Sequence, residues 1–128
     1  MAYPENSPFN QVTVSSVGAN LTSGNNVAVR VPFRSKLMKT AVCLGSAAAT
    51  ANASVAVSYV NAGSTVAVSV LGSSVVTVTQ SNSYAGQVFE STPTAEIILE
   101  EGSGIMFAVT GSSTSGGAVQ YSAVLREA

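Results

Sequence analysis

Apolar and small polar residues alternate over most of this chain with the period of two that a half-buried strand imposes. Val, Thr and Ser dominate the alternation, and no 11-residue window carries a helical stripe. Val12-Thr13-Val14 predicts a first strand and residues 27–31 a second, with Val27, Val29, Val31 and Phe33 on one face and Ala28, Arg30 and Arg34 on the other. Residues 37–44 predict a third, with Met38, Val42 and Leu44 on one side and Lys39, Ala41 and Cys43 on the other. Residues 54–60, 65–71 and 74–80 read as a meander, turned at Asn61-Ala62-Gly63-Ser64 and at Gly72-Ser73, which fits a two-residue hairpin. Further strands are expected at 85–89, 97–99, 104–110 and 118–125. Residues 111–117, Gly-Ser-Ser-Thr-Ser-Gly-Gly, read as a mobile hairpin tip between the last two. Residues 94–99 also admit the one helix the chain offers.

Short strands at this spacing, separated by turn residues, predict an all-β fold: a single-domain β-sandwich or jelly roll of about eight to ten antiparallel strands over residues 10–128. Pro4 and Pro8 remove backbone donors and favour extended chain, so residues 1–9 are expected to form an arm outside the sandwich. The outward positions Ala56, Ser58, Ala67, Ser69, Thr77 and Thr79 are all small. Either they form a surface that another backbone approaches closely, or they belong to a tight sheet-on-sheet core.

Composition narrows the chemistry sharply. The 128 residues contain no His, Asp or Trp and one Cys, and 9% are charged against 46% hydrophobic, where an ordinary domain has roughly 25% charged. Without His or Asp no Ser-His-Asp or Cys-His arrangement can be built, and one Cys cannot close a zinc site. No catalytic residue, cofactor or metal is therefore expected, and Cys43 is read as a small buried hydrophobe. The start Met1-Ala2-Tyr3-Pro4-Glu5 has no leader character, which suits synthesis in a reducing cytoplasm. The longest apolar runs are broken too often to span a bilayer.

A net charge of −1 gives no general attraction to nucleic acid. The charges are nonetheless grouped: Arg30, Arg34, Lys36 and Lys39 within ten residues, and Glu90, Glu96, Glu100 and Glu101 within twelve. Each group is either a solvated rim or an edge complementary to the other between copies or on a scaffold. Tyr3, Tyr59, Tyr84 and Tyr121 raise a carbohydrate platform as an alternative, without the Trp and Asp that such sites usually add.

From Val31 onward the segment order resembles the head decoration (cement) proteins of tailed bacteriophages. The likeness runs through Val31-Pro32-Phe33-Arg34-Ser35-Lys36-Leu37, Ala85-Gly86-Gln87-Val88, Ser91-Thr92-Pro93-Thr94-Ala95 and Leu99-Glu100-Glu101-Gly102-Ser103. The family often carries Gly-Asp where this chain has Gly102-Ser103, so no metal or turn bond through that Asp carries over. The resemblance implies a jelly-roll-like virion protein on the capsid exterior. It would bind an assembled head as a trimer or dimer and clamp neighbouring major capsid subunits. Composition places the capsid contact on the arm (Tyr3, Pro4, Glu5, Pro8, Phe9) and on Arg30, Arg34, Lys36 and Lys39, and contact between copies on the small-residue strands. A receptor- or glycan-binding module of a fibre or adhesin is the alternative, and an enzyme ranks last.

Overall fold

In the computed structural model the described residues are 11–18, 21, 24–46, 52–70, 76–79, 84–110 and 117–128. They form ten strands and no helix: β1 (Gln11–Gly18), β2 (Asn26–Arg30), β3 (Ser35–Cys43), β4 (Ala53–Val60), β5 (Val68–Ser69), β6 (Val76–Val78), β7 (Val88–Ser91), β8 (Ile98–Leu99), β9 (Gly104–Val109) and β10 (Val119–Glu127). The arm residues 1–9, the Gly72-Ser73 turn and residues 111–116 of the expected tip lie outside the described residues.

Two antiparallel sheets face each other. One has the order β1-β10-β3-β7 with β8 also on β3, and the other β2-β9-β4-β5 with β6 also on β4. β7 and β8 follow one another along the same edge of β3, and β5 and β6 along the same edge of β4. Each pair is one interrupted edge strand, so both sheets have four strand positions. The expected meander is thereby corrected: β5 pairs with β4 across the Asn61 to Ser64 turn, but β6 continues in the direction of β5 and does not turn back on it. The expected hairpin at the C-terminal end is corrected as well. β9 pairs with β2 and β4, β10 with β1 and β3, and the chain between them crosses from one sheet to the other. The helix reading of 94–99 gives way to β8, whose pairing with Ser35 and Lys36 buries Leu99 completely.

The core is filled by alternate residues of both sheets: Val55 and Val57 of β4, Ile105, Phe107 and Val109 of β9, and Tyr121, Ala123 and Leu125 of β10. In each of these strands the core residues stand at every second position, as the alternation of a half-buried strand requires. β3 departs from it. Val124 is opposite Lys39 but Leu125 is opposite Leu37, so Met38 is an extra residue, a β-bulge. The bulge moves Ser35 and Leu37 to the core side with Thr40, Val42 and Leu44, and leaves Met38 half-buried outside the ladder. Burying a Leu side chain contributes about 1.5–3 kcal/mol, which exceeds the about 0.5–1.5 kcal/mol net of one ladder hydrogen bond. The bulge is thus the favourable solution for a strand whose alternation slips by one.

Phe107 and Tyr121 provide the aromatic contact between the sheets, with ring centroids 5.4 Å apart and planes tilted by 39°. Gly18 lets β1 close over this pair: a Cβ there would sit 2.7 Å from Val27 Cγ2 and 2.9 Å from Tyr121 Cε2. Gly18→Ala is expected to cost about 1–3 kcal/mol through overpacking against a ring that has nowhere to move, read as a lower urea midpoint. A midpoint equal to that of the parent chain would contradict this packing.

Burial also raises the Tyr121 phenol above its ordinary value of 10.0. The folded chain therefore holds this proton to higher pH than the unfolded chain does. The associated stability is whole below about pH 10 and is lost as pH climbs through the raised folded value. Between pH 9 and 11 the urea midpoint of the parent is expected to fall more steeply than that of Tyr121→Phe; parallel slopes would contradict it.

Candidate functional site

The charged groups are brought together by the edge of the first sheet. Arg34 stands just before β3, and Lys36 and Lys39 lie on it, while Glu90 is on β7, Glu96 precedes β8 and Glu100 follows it. Because β7 and β8 run antiparallel along β3, the two clusters meet as a ladder: Lys39 Nζ to Glu90 Oε2 at 3.4 Å, Lys36 Nζ to Glu96 Oε2 at 3.5 Å, and Arg34 Nε to Glu100 Oε1 at 3.0 Å. The complementary edges thus meet within one chain. All three pairs are open to water and contribute about 0–1 kcal/mol each, too little to explain the ladder as a stabilising device. Their consequence is electrostatic: a nearly neutral, hydrogen-bonding strip on the outer face of this sheet.

Arg30 is not part of the strip. It ends β2 opposite Gly104, on the outer face of the second sheet. That face is otherwise small and uncharged across its centre, with Ala28 beside Met106 and Ser58, and Asn26 beside Ala108 and Ala56. Cys43 lies half-exposed on the outer face of β3, where its Sγ is 3.9 Å from the Gly86 carbonyl oxygen. This corrects the buried reading, because the outward parity of β3 from Lys39 to Cys43 carries it to the surface. The tyrosines do not form a platform among the described residues: Tyr121 is in the core, Tyr59 half-buried on β4, and Tyr84 exposed in the turn before β7.

Beside the ladder lies a recess of about 350 Å³ that the sequence reading missed. A seven-residue step along the edge, from Ser91 to Ile98, spans the four-residue step of β3 from Thr40 to Lys36, so residues 92–96 arch away from the sheet before Ile97 returns to it, its carbonyl accepting from Leu37 N–H at 3.0 Å. The bulged Met38 and the arch residues Thr92, Pro93 and Ala95 line the recess, with Lys36 and Glu96 also in its wall.

At the turn before β9, Ser103 stands where the resembling family often has Asp. Its buried Oγ accepts from Ala62 N–H at 3.1 Å and donates to Asn61 Oδ1 at 3.2 Å, while its carbonyl accepts from Val31 N–H at 2.8 Å. Ser103 therefore ties the β4–β5 turn to β9. Among the described residues no three metal-ligating side chains gather at one place, and no helix is long and apolar enough to cross a membrane.

With each interrupted edge taken as one strand, the chain changes sheet at every connection except that from β4 to β5, which is the jelly-roll order. No family model and no curated protein matches this chain. Among solved structures, a chain of the cyanophage Pam1 capsid asymmetric unit shares the fold with a TM-score of 0.59 and 15% identity, over 100% of this chain and 93% of that one.

Proposed function

We propose that this chain is a structural virion protein that binds the outer surface of an assembled phage head and holds neighbouring major capsid subunits together. The observation that carries the reading is the end-to-end likeness to a chain of similar length in a phage capsid asymmetric unit. The surface supports it: a small-residue, uncharged outer face on one sheet and an internally neutralised ladder on the other suit broad contact with protein. In this reading the chain performs no reaction and needs no cofactor. A copy that binds the assembled lattice and not free subunits stabilises the lattice by mass action, and many symmetric copies, as trimers or dimers, add through multivalency. The arm and the strip of Arg34, Lys36 and Lys39 face the capsid, and the small-residue face of the second sheet meets other copies.

Co-sedimentation tests this reading. The protein is expected to pellet with assembled heads of its own phage and to remain in the supernatant with unassembled capsid subunits. Equal binding to both, or to neither, would overturn it. A glycan- or receptor-binding module is favoured by one observation, Tyr84, which is 61% exposed close to Gln87. Retention on a glycan array that is lost in Tyr84→Ala, without head binding, would select that reading instead.

A further inference from the structure

We propose that β1 is a docking edge for a second copy of this chain: two β1 strands pair antiparallel about a two-fold axis and join the first sheets of two molecules into one continuous sheet. Among the described residues each sheet has two edges, β1 and the β7-β8 line on the first, β2 and the β5-β6 line on the second. An open edge presents unpaired N–H and C=O groups, and proteins guard such edges by shortness, interruption, charge or proline. Three of these four edges are guarded. β7 and β8 have four and two residues, are parted by the arch that holds Pro93, and carry Glu90. β5 and β6 have two and three, with a break between them. β2 has five and ends in Arg30. β1 alone runs for eight residues in unbroken register on its neighbour, without a charge, a proline or a bulge. Val12, Thr13, Val14 and Val17 give it the β-branched content that strands favour.

The backbone sets the kind of occupant. In an antiparallel ladder a strand turns alternate residues towards each side, so every second residue of β1 points its N–H and C=O away from β10. Another extended backbone matches that spacing along the whole strand.

The side chains say which backbone. Val12, Val14, Ser16 and Gly18 stand opposite the core residues Leu125, Ala123, Tyr121 and Val119, and therefore face the seam between the sheets. Gln11, Thr13, Ser15 and Val17 are on the outer face and exposed. A two-fold axis through Val14 sets Val14 against Val14 and Thr13 against Ser15, an apolar pair on one face and hydroxyl pairs on the other. No like charges meet, because β1 carries none. On β10 the charged residues Arg126 and Glu127 stand at the end beside Gln11, and antiparallel pairing carries the two copies of that end to opposite ends of the joined strands. The edge is thus complementary to itself. A two-fold contact of this kind closes on a dimer and leaves no free β1 edge to propagate. It lies apart from the small-residue face of the second sheet, and it concerns the protein alone, so it holds whether or not the protein binds heads.

Sedimentation equilibrium of the full-length protein is expected to show a monomer and dimer in exchange. Amide hydrogen exchange read by nuclear magnetic resonance is expected to show the outward-pointing N–H groups of β1 gaining protection as concentration rises and losing it on dilution. Thr13→Lys combined with Ser15→Lys, both on the exposed outer face, sets lysine opposite lysine across the axis and is expected to raise the dimer dissociation constant by about ten-fold or more. Thr13→Glu with Ser15→Glu is expected to do the same alone, and an equimolar mixture of the two variants to recover the dimer, which also shows that both are folded. A parent protein that stays monomeric into the millimolar range would overturn the proposal, as would a dimer indifferent to the lysine pair or a mixture that stays monomeric. The amide readout needs no variant. Outward β1 amides that exchange freely within a dimer would assign that dimer to another face, and amides protected alike at every concentration would mean that the chain covers its own edge; either result overturns the proposal.

Discussion

Phe107→Ala is expected to remove about 3–5 kcal/mol of folding stability, seen as a large drop in the urea midpoint at an unchanged slope. Phe107 is fully buried on β9 of one sheet and meets Tyr121 on β10 of the other, in a core otherwise built mostly from Val, Leu, Ile and Ala. Truncation leaves a cavity between two sheets whose strands are fixed by their ladders and cannot close over it. A domain of this size has about 5–15 kcal/mol in total, so this variant approaches the unfolding limit at growth temperature. A loss below about 1 kcal/mol would mean that the sheets repack without the ring pair and that the inter-sheet contact is not specific.

Deleting residues 2–9 is expected to leave the jelly roll folded and to weaken head binding by at least about 30-fold, the loss of one anchoring side chain worth about 2 kcal/mol. The fold survives in this account because β1 begins at Gln11 and no described core residue precedes Val14. Binding suffers because the segment carries Tyr3, Pro4, Pro8 and Phe9, a density of ring-bearing side chains found nowhere else in the chain. Thermal unfolding and quantitative pelleting on heads measure the two halves separately. Full retention of affinity would remove the arm from the contact and leave the Arg34, Lys36 and Lys39 strip as the candidate.

Period-two alternation made the central strands legible. Val55 and Val57, Ile105, Phe107 and Val109, and Tyr121, Ala123 and Leu125 were assignable to a buried face because each of these strands runs without an inserted residue. Alternation cannot locate an extra residue, and so it groups Met38 with Val42 and Leu44 although the bulge puts Leu37 on their side instead. Nor does it say which strands pair. Residues 65–71 and 74–80 read as two strands of a meander, yet their paired parts, β5 and β6, lie on one edge of β4, Ser69 opposite Ser58 and Val76 opposite Val55.

The candidate surface was legible as two charge clusters but not as a ladder. Pairing Arg34 with Glu100, Lys36 with Glu96 and Lys39 with Glu90 requires the antiparallel register of β3 against β7 and β8, and a helical reading of 94–99 hides that register. The recess depends on two local irregularities at once, the bulge and the arch, and neither has a sequence signature strong enough to place it. Thr92-Pro93 is the one local signal, since proline cannot donate to a ladder and marks where the edge leaves the sheet.

Cryo-electron microscopy of the purified virions, after mass spectrometry has established which proteins they contain, tests the central claim most directly. The account predicts one jelly-roll density per copy on the outside of the shell, bridging adjacent major capsid subunits, with the Arg34 to Lys39 side turned towards them. Virions that lack the protein, or that carry it away from the shell at a fibre tip, would contradict it.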